Sequence, residues 1–86
     1  MIRFTSTDNG ATTIISVAGR LEADHLAELE LQRADARHTV VFDLVQLQSA
    51  DDASIRWLCD HVEQGCRVTG ASPYIKFRLE RGRDRS

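Results

Sequence analysis

The chain has 86 residues, 42% hydrophobic and 28% charged, close to ordinary globular values, so neither a disordered segment nor a membrane protein is indicated. A chain this short buries only about 60 to 65% of its unfolded surface, which excludes a second domain. Formal net charge is −2, but residues 76–86 carry five cations against Glu80 and Asp84, a local +3 that leaves −5 on the first 75 residues. One domain is expected over residues 1–80, followed by a basic tail at 81–86. Such a tail could hold nucleic acid, but an Arg-Gly-Arg-Asp-Arg-Ser terminus is expected to be solvated, without a nucleic-acid partner. No apolar run approaches the ~18 residues that cross a bilayer, and the opening Met-Ile-Arg-Phe-Thr-Ser lacks the basic and apolar regions of a secretory signal. The expected location is the cytoplasm, without membrane insertion.

In chain order, Ile2, Phe4 and Ser6 alternate with Arg3, Thr5 and Thr7. Asn9-Gly10 then supplies the positive φ angles of a tight turn before the β-rich run Thr12 to Ala18, so the chain opens with an antiparallel pair. Gly19-Arg20 ends the second strand. Leu21 to Ala36 is rich in Ala, Leu, Glu and Arg and predicts a helix. Its apolar residues form two stripes, Leu26 with Leu29 and Ala23-Ala27-Leu31-Ala34, with Glu30 between them, so the buried face is undetermined.

Thr39 to Leu44 is a continuous β-branched run, as expected of a central strand covered on both faces. After Val45 to Ala50, residues Ile55, Leu58, Cys59 and Val62 follow the spacing of one apolar helix face, and Gly65 stops that helix. At about 100° per residue, Trp57 falls far from the apolar stripe and is expected to face outward, either shielded by the C-terminal segment or as an interface anchor. Cys66 to Gly70 reads as a short strand. Ser72-Pro73 is an N-cap followed by proline at the first helical position. Ile75 and Leu79 suit a helix, whereas Ile75, Phe77 and Leu79 also suit a strand; the explicit cap favours a short helix. The order ββαβαβα predicts an α/β fold, a mixed sheet with an N-terminal antiparallel hairpin, parallel strands and helices mainly on one face.

Enzymatic chemistry finds little footing. No glycine-rich phosphate loop and no Gly-x-Ser-x-Gly occurs, and Ser54 has no neighbouring histidine to activate it. His25, His38 and His61 lack zinc spacing and are expected in solvent. Cys59 and Cys66, six apart, lack metal spacing; buried thiols are expected, with a disulfide or redox switch as the alternative. Asp51 and Asp52 stand at a helix entrance, where unpaired N–H groups and the helix dipole favour carboxylates, so capping accounts for one of them. An acidic metal or phosphoacceptor site from Asp43, Asp51 and Asp52 is the alternative, although the arrangement of a receiver-type site is missing.

Ile14 to Glu22, Val40 to Leu44 and Ala50 to Leu58 together resemble the STAS domain, the fold of anti-sigma-factor antagonists, over about Ile2 to Leu79. Gly19-Arg20-Leu21-Glu22 is similar to the family's segment at the first helix, with Glu22 in its acidic place. Asp43-Leu44-Val45 followed by Asp51-Asp52-Ala53-Ser54-Ile55 and Leu58 is similar to its second motif. The resemblance implies a non-enzymatic module that binds a protein through the start of the Ala50 to Gln64 helix, using Glu22, Asp51, Asp52, Ser54, Arg56 and Trp57. The family's partner is a serine-kinase anti-sigma factor, and nucleotide can bind near the same helix. Two departures stand out: Asp52 replaces the phosphorylatable Ser or Thr, with a charge of about one unit against the −1.5 to −2 of a phosphate, and Ser54 replaces a glycine. The family's further strand and C-terminal helix are also missing, which implies an uncovered edge or face and a homo-oligomer or a docked partner. The alternative role is that of a small STAS subunit bracing the ATPase of a lipid-transport ATP-binding-cassette complex.

Overall fold

A computed structural model describes residues 2–36 and 39–84. Strand β1 (Ile2–Asp8) pairs antiparallel with β2 (Thr12–Leu21), from Ile2 opposite Gly19 to Asp8 opposite Thr13. The turn between them is built locally. Asp8 Oδ1 accepts the Gly10 N–H at 2.8 Å, Asn9 Oδ1 accepts the Thr12 N–H at 2.8 Å, and Gly10 takes a φ of 90° that costs a residue without Cβ nothing.

A 3-10 turn (Ala23–His25) leads into α1 (Leu26–Asp35), and the chain returns through β3 (Thr39–Asp43), parallel to the first half of β2. Strand β4 (Leu47–Ala50) then runs parallel to the last residues of β2, with a register shift between Gly19 and Arg20. Helix α2 (Asp52–Glu63), strand β5 (Arg67–Thr69) and helix α3 (Pro73–Asp84) complete the chain, β5 lying parallel to β3. The sheet order is β1-β2-β3-β5, with β4 set against β2. This is an α/β fold with a mixed sheet, an antiparallel hairpin followed by parallel strands.

Burial follows the period of two that a pleated strand imposes. Thr13, Ile15 and Val17 of β2 and Val40 and Phe42 of β3 are buried, while Ile14, Ser16, Val41 and Asp43 on the opposite face are half-exposed. The buried strand face packs with Leu29 of α1, Ile55 and Leu58 of α2, and Ile75 of α3. The continuous apolar run at β3 is therefore fully covered on one face only, not on both as expected.

Other boundaries also differ from the sequence reading. Strand β4 was not expected; Leu47-Gln-Ser-Ala is short and half polar, and buries only Leu47 and Ala50. Strand β2 continues through Gly19 to Leu21, and α1 starts at Leu26 because the 3-10 turn intervenes. Helix α3 resolves the strand-or-helix ambiguity and extends to Asp84, so residues 81–84 are helical. Ser72 caps it as expected, its hydroxyl accepting the Ile75 N–H at 3.3 Å. Among the described residues no helix is long and apolar enough to cross a membrane.

Candidate functional site

Parallel strands β2 and β4 end side by side. The Asp51 N–H, one residue past β4, donates to the carbonyl of Leu21, the last residue of β2, at 3.1 Å, and from there the chain enters the 3-10 turn on one side and α2 on the other. The Asp51 carboxylate spans the two entrances: Oδ1 accepts the Ser54 N–H and Oδ2 accepts the Ala23 N–H, both at 2.8 Å. One side chain thereby satisfies orphan donors of two helical starts. Its carboxyl is held below the usual carboxylate range, against the opposing effect of desolvation. Ser54 is the main cause, helped by the Ala23 N–H and the Arg78 charge; of the Ser54 groups beside the carboxylate, only the N–H makes a well-formed hydrogen bond.

With capping assigned to Asp51, Asp52 is left to face outward. It is the first residue of α2, and its side chain is 93% exposed. Arg78 of α3 reaches over to it, donating one guanidinium nitrogen to Asp52 Oδ1 and another to the Ala50 carbonyl. The site thus contains a cation supplied from 26 residues downstream. The sequence offered no signal for it beyond one arginine among several.

Of the other expected residues, Glu22 is exposed beside the Asp51 bridge, its N–H donating to His25 Nδ1 at 3.2 Å. Arg56 is exposed one helical turn from Asp52 and shares its face. Ser54 is fully buried, so it supports the helix entrance from inside and does not line the surface to which the sequence reading assigned it. Trp57 is half-buried, between the fully outward position that helical periodicity predicts and the core. Its ring stacks on His61 with centroids 3.9 Å apart and meets Phe42 edge-on at 5.5 Å.

His61 is likewise buried, against the expectation of a solvent histidine. Its Nδ1 lies 2.8 Å from the Trp57 carbonyl and its Nε2 3.2 Å from Glu30 Oε2. Glu30 also receives two hydrogen bonds from Arg33, at 2.8 and 3.0 Å, and chiefly this arginine holds its carboxyl below the usual range. The awkward placement of Glu30 between two apolar stripes is explained by this link from α1 to α2. His25 is half-buried, and His38 lies outside the described residues.

The three aspartates of the acidic alternative are separately engaged. Asp43 accepts the Ser16 hydroxyl at 3.3 Å and the Val45 N–H at 3.1 Å, Asp51 bridges the helix entrances, and Asp52 meets Arg78. Among the described residues no three His, Cys, Asp or Glu side chains gather to hold a metal ion. Cys59 and Cys66 form no disulfide; Cys59 is buried, and burial pushes the Cys66 thiol up. Compared with known families and curated proteins, the chain matches no family model and no curated sequence.

Proposed function

We propose that this chain is a non-enzymatic, cytoplasmic protein-interaction module of the STAS type, which docks a regulatory partner on the entrance of α2. What supports the reading is the division between the two aspartates. Asp51 makes both capping bonds, so Asp52 is not needed as the cap and stands at the helix start with its side chain 93% exposed. By the resemblance to STAS domains, this is the place of their phosphorylatable Ser or Thr, and a carboxylate there would supply a permanent negative charge. Glu22 and Arg56 flank it on the surface, and the partner class that the resemblance suggests is a serine-kinase anti-sigma factor.

The test is Asp52→Ser, with Asp52→Asn as the charge control. Each is assayed for binding to candidate anti-sigma kinases and for phosphate incorporation. The expected result is a change of about tenfold or more in partner affinity, the scale on which surface charge pairs at a docking site act, or phosphorylation of the serine variant alone. Variants that match the parent toward every candidate would remove the assignment.

A second reading takes its support from the Arg78 contact. A carboxylate already paired within the chain suits a constitutive subunit better than a switch, and the corresponding partner is the ATPase of a lipid-transport complex. Copurification of the tagged chain with an ATPase, and not with an anti-sigma kinase, would favour this second role.

A further inference from the structure

Among the described residues, two helix faces remain uncovered after folding. Helix α3 buries Ile75 and half-buries Leu79, while Tyr74 and Phe77, separated by one turn, are 57% and 56% exposed. They share their face with Arg78 and Arg81, whose guanidinium carbons lie 5.8 Å from the Tyr74 ring centre and 5.7 Å from that of Phe77. On α1 the buried residue is Leu29, so the second apolar stripe lies outside: Ala27 and Ala34 are exposed and Leu31 is 70% exposed, bordered by exposed Glu28 and Asp35. Arg78 is already held by Asp52 and the Ala50 carbonyl, so one face is aromatic with exposed Arg81 beside it, and the other is aliphatic and anionic. Ala27 and Ala34 leave low ground on either side of Leu31 where aromatic rings can settle.

The chain cannot join these faces to each other within one molecule. Helix α2 lies between them, His61 on one side meeting Glu30 of α1 and Cys59 on the other meeting Leu79 of α3. We propose that α3 of one copy seats on α1 of a second copy, Tyr74 and Phe77 covering the Ala27-Leu31-Ala34 stripe and Arg81 facing Glu28 and Asp35. A second copy is the occupant that matches both faces at once. A nucleic acid or an anionic bilayer would answer the arginines of α3 and leave the α1 stripe in water. The contact joins unlike surfaces and carries charge at its rim, so association strengthens with concentration and weakens with salt.

Sedimentation of the full chain over a concentration series, at low and high salt, tests this, together with Leu31→Glu and Phe77→Glu. Both residues are mostly exposed, and circular dichroism melts check that each variant folds. The parent is expected to associate, most strongly at low salt, and each variant to weaken association about tenfold or more, as the loss of a central apolar anchor does. An equimolar mixture of the two variants is expected to regain association, because the mixture still holds one intact α3 face and one intact α1 face. A parent that stays monomeric at every concentration overturns the proposal, whether or not it sediments with anionic phosphatidylglycerol vesicles. So does association that Leu31→Glu leaves unchanged, which would mark an α3-to-α3 contact, or a mixture that fails to recover.

Discussion

Asp51 and Asp52 are neighbours in sequence and differ in what they touch. Asp51 ties the entrance of α2 to the 3-10 turn, so its loss removes partners from two N–H groups at once. Asp51→Ala is expected to cost about 1 to 2 kcal/mol, the upper part of the range for a capping residue, read as a fall of about 4 to 8 °C in Tm per kcal/mol for a chain of this size. The effect depends on pH in a defined direction. The folded-state pKa of Asp51 lies below its unfolded value of about 3.9, so its contribution is complete above that value and is lost as pH falls through the folded pKa. The gap in stability between the parent and Asp51→Ala should be full at neutral pH and narrow below about pH 4. Melts at a series of pH values check this, and a gap that stays constant into acid would contradict it.

At the scale of elements, the least forgiving junction is the turn that passes from β5 into α3. Gly70 has a φ of +72°, and a Cβ there would lie 2.3 Å from Val45 Cγ2 and 3.3 Å from Asp43 Oδ1. Gly10 in the hairpin turn also has positive φ, +90°, but a Cβ there meets nothing within 4 Å. Gly10→Ala is therefore expected to cost only the left-handed backbone term, about 1 kcal/mol, and Gly70→Ala more, about 2 to 3 kcal/mol, because the Val45 loop must also shift. Urea titrations of both variants give the comparison, and equal losses would show that crowding at Val45 is relieved cheaply. This junction matters to the candidate site because α3 delivers Arg78 to Asp52. A displaced α3 would leave the exposed carboxylate without its cation.

For the whole molecule, a single helical layer on one face of the sheet makes one shared core. Phe42 is fully buried at its centre, on an interior strand, and touches the Trp57 ring edge-on. Phe42→Ala is expected to cost about 3 to 5 kcal/mol, against a total stability of about 5 to 15 kcal/mol for a domain. Denaturant unfolding followed by Trp57 emission should show a midpoint far below that of the parent, or a largely unfolded chain. The same thin architecture leaves the outer faces of α1 and α3 without cover. No further layer within the described residues lies over Leu31, Tyr74 or Phe77, which is why the proposed contact between copies is a property of the assembled fold and not of any one helix.

What the sequence determined by itself were features whose cause lies within a few residues. Asn9-Gly10 specifies its hairpin, the Ile55-Leu58-Cys59-Val62 stripe specifies the buried face of α2, Ser72-Pro73 specifies the start of α3, and the capping of α2 by one of the two carboxylates at its entrance follows from position alone. Tertiary structure decided the rest, because the partners come from far along the chain. Strand β4 exists because β2 offers a free edge at Gly19 to Leu21, not because Leu47-Gln-Ser-Ala alternates strongly. Trp57 and His61 turn inward because Glu30 and Phe42 stand ready to receive them, which helical periodicity cannot register. The choice between the two stripes of α1 and the pairing of Asp52 with Arg78 likewise required the packed molecule. Periodicity records which residues share a face, and only packing settles what that face meets.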